Sequence, residues 1–142
     1  MLTFQPEITA ETLESIRSQF GTDYSVLHIR TGDTELRHGQ EIELTRWINA
    51  IQDYLLKVNT PVVLVCDSIS LKNQMSDQVL CTPGLPYHSA DHEGNVRSFV
   101  FDVLTILNAK SLHSIMSNAW GGTGFSRIPA LFAGIPTTYH NL

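Results

Sequence analysis

A three-layer α/β domain with a mainly parallel sheet is the fold that this 142-residue sequence predicts. Three observations carry the expectation. Short β-rich apolar segments alternate along the chain with amphipathic helical ones, the pattern of a parallel sheet covered by helices. One segment, Val62–Cys66, is apolar without interruption, as strands buried on both faces are. The composition, 42% hydrophobic and 16% charged, supports a real core rather than a disordered chain, and the length suits a single domain over residues 1–142.

The elements follow in order. Residues 9–20 form a helix, with Thr9 as N-cap, Leu13, Ile16 and Phe20 at helical spacing, and Gly21 as a left-handed stop. Tyr24–Arg30 is a β-rich strand, followed by a polar loop to about Gly39. A helix from about Gln40 to Val58 carries Ile42, Trp47, Ile48, Ile51, Tyr54 and Leu55 on one side and stops before Pro61. The strand Val62–Cys66 is followed by a short helix from Ser68 to about Asp77, then a third strand at 78–82. The stretch 83–95, with Pro83, Gly84, Pro86 and Gly94, is a loop. Val96–Lys110 is a helix with Phe99, Val103, Ile106 and Leu107 on one side, and Leu112–Met116 is a fourth strand. A glycine-rich loop over 118–124 leads into a helix from Phe125 to Ala133. Pro129 sits in its first turns and Gly134 ends it. Ile135–Tyr139 is the last strand.

Nine Lys+Arg against fourteen Asp+Glu give a net charge of −5, which argues against broad binding to nucleic acid or to an anionic membrane. Residues 1–20 mix Glu7, Glu11, Glu14 and Arg17 among apolar positions, so no targeting h-region is present, and no apolar run reaches membrane-spanning length. Cys66 and Cys81 make no disulfide framework and suit a reducing, cytoplasmic setting.

Right-handed crossovers favour the doubly wound strand order 3-2-1-4-5. In that order strands 1 and 4 are neighbours at the switch point, and ligands bind outside the carboxyl ends of the strands there. The loops after Arg30 and after Ser117 should therefore face one crevice. Arg30 ends its strand on the same side as His28, and its planar fork of donors suits phosphate oxygens. Asp33 could hold that fork in place or cap a turn. Equally, Arg30 could be a strand-end charge in a salt bridge and His28 a satisfied, half-buried histidine. Across the crevice, Trp120–Ser126 combines glycines, hydroxyls at Thr123 and Ser126, and a helix start, which together make a phosphate cradle or a tight strand-to-helix turn. It matches neither G-x-G-x-x-G nor G-x-x-x-x-G-K-[ST]. Asp67 ends the second strand and suits either a ribose hydroxyl or base edge, or the cap of the next helix. Asp102 is unusual in an apolar helix, and Arg97, five residues away, is not its helical partner.

Other candidates are weaker. His88 and His92, with Asp91 and Glu93, have metal-binding residue types, but the i, i+4 spacing counts only on a helix and this stretch reads as loop. His38 either borders the anion site or is solvated. Cys66 reads as a buried strand residue rather than a nucleophile. No G-x-S-x-G elbow is present.

Taken together, Leu27–Asp33 resembles the H-x-R-x-G-D element of the GDP-fucose-dependent fucosyltransferases, the superfamily of alpha-1,2-, alpha-1,6-, protein O- and nodulation fucosyltransferases. Val65–Ser68 is similar to its strand-end Asp-Ser or Asp-Asp element. Val96–Ala133 resembles its third element, an Asp-bearing helix, a strand and a Ser/Thr-rich turn, here Asp102 and then Thr123, Gly124, Phe125 and Ser126. The resemblance covers roughly residues 24–134 and implies the donor-binding half of a two-domain GT-B enzyme. It implies that Arg30 is catalytic and meets the β-phosphate of GDP-fucose. It implies that His28 and Asp102 lie against guanosine, while Thr123, Gly124, Phe125 and Ser126 line the nucleotide, with Asp33, Asp67 and Ser68 also in the donor site. It also implies inversion at the sugar, with neither metal nor other cofactor required. Two departures stand out. Thr31 occupies the place where many members carry a second arginine, and the serine-rich turn is partly glycine.

The length matches one half of such an enzyme, so the expected function is donor binding, with the reaction completed by a partner domain, a second subunit or a homo-oligomer. Two alternatives are a stand-alone nucleotide-sugar module without transferase activity and an unrelated Rossmann-like enzyme acting on a phosphorylated small molecule.

Overall fold

A computed structural model of the chain describes residues 6–32, 41–84, 96–117 and 124–142. Among them are five helices and five strands: α1 Pro6–Phe20, β1 Ser25–Arg30, α2 Leu44–Lys57, β2 Val62–Cys66, α3 Ile69–Met75, β3 Leu80–Cys81, α4 Val96–Leu107, β4 Leu112–Met116, α5 Gly124–Ala133 and β5 Thr137–Asn141. The sheet has the order β3-β2-β1-β4-β5, and all its pairings are parallel. The expected fold class and strand order therefore hold.

Strand alternation builds the two cores. Val26 of β1 and Val63 and Val65 of β2 face one side and pack with Ile16, Phe20, Val100, Phe101 and Leu104 of α1 and α4. Leu27 and Ile29, with Val62, Leu64 and Cys66, face the other side and pack with Trp47, Ile51, Leu71 and Met75 of α2 and α3. On the first face α4 lies between α1 and α5. That position explains why residues 100–106 are buried all round rather than along one stripe.

The helix ends follow the chemistry of their stop residues. Gly21 has φ 75° and donates to the Arg17 carbonyl at 3.0 Å, closing α1 with a left-handed cap. Gly134 has φ 64°. Its N–H reaches the Leu131 carbonyl and that of Ile135 reaches Ala130, a Schellman closure of α5. At the end of α4 the helix carbonyls need outside donors, and the fully buried Tyr24 supplies one, its hydroxyl donating to the Thr105 carbonyl at 2.8 Å. Burial pushes the Tyr24 hydroxyl pKa up to about 12, so it remains a donor at any ordinary pH.

Several boundaries differ from the sequence reading. Thr9 is not an N-cap: α1 begins three residues earlier at Pro6, whose missing N–H is harmless in a first turn. Pro129 is the sixth residue of α5, past the first turn, so the Phe125 carbonyl loses the bond that residue 129 would have given it. The second strand-flanking helix starts at Leu44, β3 has only two residues, and β5 is displaced two residues toward the C-terminus, its register set by pairing with β4. Both cysteines are free. Among the described residues, no helix is long and apolar enough to cross a membrane.

Tyr24→Phe is expected to remove about 1–2 kcal/mol of stability, because it leaves the Thr105 carbonyl buried without that donor. Urea denaturation should show a lower midpoint with an unchanged slope.

Candidate functional site

The switch point lies where β1 and β4 run side by side. The ladder continues one residue beyond β4, with Ser117 N–H donating to the carbonyl of Arg30, the last residue of β1, at 2.9 Å. Thr31 and Ser117, the first residues after β1 and β4, line one cleft of about 200 Å³ together with Ile42, Glu43, Arg46 and Trp47. The two strand ends thus face a common crevice, as the strand order requires. That cleft opens on the α2 side. His28, Arg30, Asp67, Asp102, Phe125 and Ser126 are not among the residues that line it.

The opposite face holds the polar groups aligned with α5. His28 is 3% exposed, and the register places it across from Ser114 of β4. Its Nδ1 lies 3.0 Å from the Ser114 hydroxyl, and its ring lies 5.6 Å from that of Phe125 near the start of α5. Phe125 in turn meets Phe99 of α4 edge-on at 5.8 Å. Burial, and then the charge of Arg30, push the His28 pKa down to about 3, so its imidazole is neutral at physiological pH. Ser126 is fully buried, and its Oγ has no hydrogen-bond partner among the described residues. Asp102 is buried in the middle of α4 on the same side of the sheet.

Arg30 stands at the strand end with its side chain 29% exposed. Its Nη1 is 3.9 Å from Oδ2 of Asp67, the residue that follows β2. The other carboxylate oxygen of Asp67 accepts from both the N–H and the hydroxyl of Thr31, at 2.8 and 3.0 Å. The N-cap of the next helix is Ser68, its Oγ accepting from Leu71 N–H at 3.2 Å while the residue is fully buried. Cys66 is buried, and the loss of solvation pushes its thiol pKa well up, which fits a structural residue.

Asp33, Thr123, His38 and the group His88, Asp91, His92 and Glu93 lie outside the described residues. Gly124 is the first residue of α5. Among the described residues no set of three His, Cys, Asp or Glu side chains is placed to hold a metal. Two participants escaped the sequence reading. Ser114 could have been found from the register, since position 28 of β1 must face position 114 of β4. Thr31 stood out only as the place of a missing arginine, and its role as donor to Asp67 depends on the tertiary approach of the two strand ends.

The fold is shared with solved fucosyltransferases. The structure of the NodZ alpha-1,6-fucosyltransferase soaked with GDP-fucose matches with a TM-score of 0.57 and 21% identity, over 91% of this chain and 42% of that one. The structure of POFUT1 in its apo form matches with a TM-score of 0.54 and 11% identity, over 98% of this chain and 47% of that one. Structures of NodZ co-crystallized with GDP and of POFUT1 in complex with GDP match comparably. This chain thus spans less than half the length of the structures it resembles, and its architecture is that of one Rossmann-like portion of them. No family model matches the sequence, and no curated protein does.

The neutral burial of His28 has a pH signature. Its folded pKa, about 3, lies below the unfolded value of 6.5. The stability contributed by the neutral form is therefore fully present above about pH 6.5 and is lost as pH falls through that window toward 3. The full effect is on the order of 5 kcal/mol. Thermal melts of wild type and His28→Gln between pH 7 and 4 should show a steeper acid loss in the wild type.

Proposed function

We propose that this chain is a donor-binding domain of fucosyltransferase type, which takes a GDP-sugar, GDP-fucose foremost, in a transferase completed by a partner domain or an oligomer. The observation that carries the reading is Arg30. It is a partly exposed guanidinium at the end of the central strand, at the switch point of a 3-2-1-4-5 sheet. The sequence element around it resembles the phosphate-binding element of those enzymes. Similar folds solved after soaking with GDP-fucose, after co-crystallization with GDP and in complex with GDP support the ligand class.

In this reading Arg30 faces the diphosphate. The N-terminus of α5, with Ser126, offers backbone N–H groups, a hydroxyl and partial positive charge to the same anion. His28, Asp102 and Phe125 are assigned to the nucleoside side. As the bond between the sugar and the β-phosphate breaks, negative charge grows on the departing diphosphate. A fixed guanidinium there binds the transition state more strongly than the ground state. Asp33, Thr123 and Gly124 remain assigned to the same site by the resemblance. The alternative is a nucleotide-sugar module that binds the donor without transferring it.

Calorimetry with GDP, GDP-fucose, UDP and ADP separates these readings from an unrelated Rossmann-like protein. GDP and GDP-fucose should bind best, and Arg30→Ala should cost about 1.5–3 kcal/mol, roughly 10- to 150-fold, for a lost charge-assisted contact. Equally weak binding of all four, indifferent to Arg30, overturns the proposal. Slow hydrolysis of GDP-fucose that vanishes in Arg30→Ala marks the enzyme. Binding without turnover at any protein concentration marks the module.

A further inference from the structure

We infer that Asp67 acts on the bound diphosphate through Arg30, as a positioning residue and not as a ligand contact, and that Thr31 is the brace that fixes it. This rests on the nucleotide-sugar reading above. The carboxylate of Asp67 is almost wholly withdrawn from water. A charge in that state persists only where hydrogen bonds and an opposite charge surround it. Thr31 supplies two donors to a single oxygen, its N–H at 2.8 Å and its hydroxyl at 3.0 Å. Both come from the residue directly after Arg30, so the carboxylate is tied to the end of β1 and not merely to β2. The backbone adds a further tie, with Asp67 N–H pointing to the Ile29 carbonyl at 3.4 Å. With Oδ1 engaged in this way, Oδ2 is turned toward the guanidinium, 3.9 Å from Nη1.

At that distance the pair is an ion pair and not a hydrogen bond. It attracts the guanidinium toward the β2 side of the strand end while leaving the arginine side chain 29% exposed. A long, rotamer-rich side chain held this way before the ligand arrives loses less freedom on binding. Thr31 takes on a second meaning here. At the position where members of the family that this element resembles often carry a second arginine, this chain places the group that orients the anion behind the first.

The test is a double-mutant cycle read with two ligands, GDP and guanosine, by calorimetry, with circular dichroism melts to verify folding. If Asp67 works through Arg30, Asp67→Asn weakens GDP by roughly 5- to 20-fold, leaves guanosine within about twofold, and adds less than about twofold in an Arg30→Ala background. Equal weakening of GDP and guanosine, or a full additional loss in the Arg30→Ala background, makes Asp67 a direct contact and overturns the inference. So does an Asp67→Asn protein that binds GDP like the wild type. Should Asp67→Asn not fold, the Thr31 variants decide. Thr31→Ser, which keeps both donors, should bind GDP within about twofold of wild type, and Thr31→Val, which loses the hydroxyl, should bind it at least about threefold more weakly. Equal affinities for the two Thr31 variants overturn the brace. A wild type that does not bind GDP at all is a different result, and it removes the nucleotide reading itself.

Discussion

The central strands β1, β2 and β4 are buried on both faces and leave their polar side chains little solvent, so these must find a partner on a neighbouring element or sit at an end. This constraint organises the molecule. At the amino end of the sheet, Ser25 shares hydrogen bonds with Thr60 and Ser111, at 2.6 and 2.9 Å. In the interior, His28 is met by Ser114. At the carboxyl end, Asp67 is met by Thr31 and Arg30. The apolar alternation that separates the two cores fixes which of these groups can meet, because a one-residue slip would send each to the wrong face.

The same constraint shapes the electrostatics of the switch point. Two groups of potentially positive charge, His28 and Arg30, lie two residues apart on one strand. Burial resolves the conflict by keeping the imidazole neutral, so the strand end carries a single fixed positive charge with a carboxylate behind it. A chain of net charge −5 can hold such a local site because the field near a partly buried charge is set by its immediate neighbours.

Much of this was legible from residue order, for physical reasons. The apolar run Val62–Cys66 and the helical spacing of Trp47, Ile48 and Ile51 report burial directly, and the strand order follows from crossover handedness. Gly21 and Gly134 mark their helix ends because few other residues tolerate positive φ. The start of α1 was misplaced because Thr9 has the chemistry of a cap while Pro6, three residues earlier, has the geometry of a first turn. The candidate site was legible as residue types but not as partnerships. Arg30 stands out in the sequence as a candidate anion-binding group, and the carboxylate nearest to it in sequence is Asp33. The described ion pair is with Asp67, 37 positions away, across a strand pairing that no local pattern encodes.

The pairing of β1 with β4 has a consequence for how the domain assembles. His28 and Ser114 are 86 positions apart, and the strands carrying them touch only after that stretch of chain has been closed into a loop. The entropy of closing such a loop is roughly 4 kcal/mol before stiffness is counted, and it is recovered only when the intervening helices and β2 pack at the same time. The two strand ends that line the crevice are therefore brought together by long-range closure of the chain and not by any local turn, so their alignment depends on the packing of the elements between them.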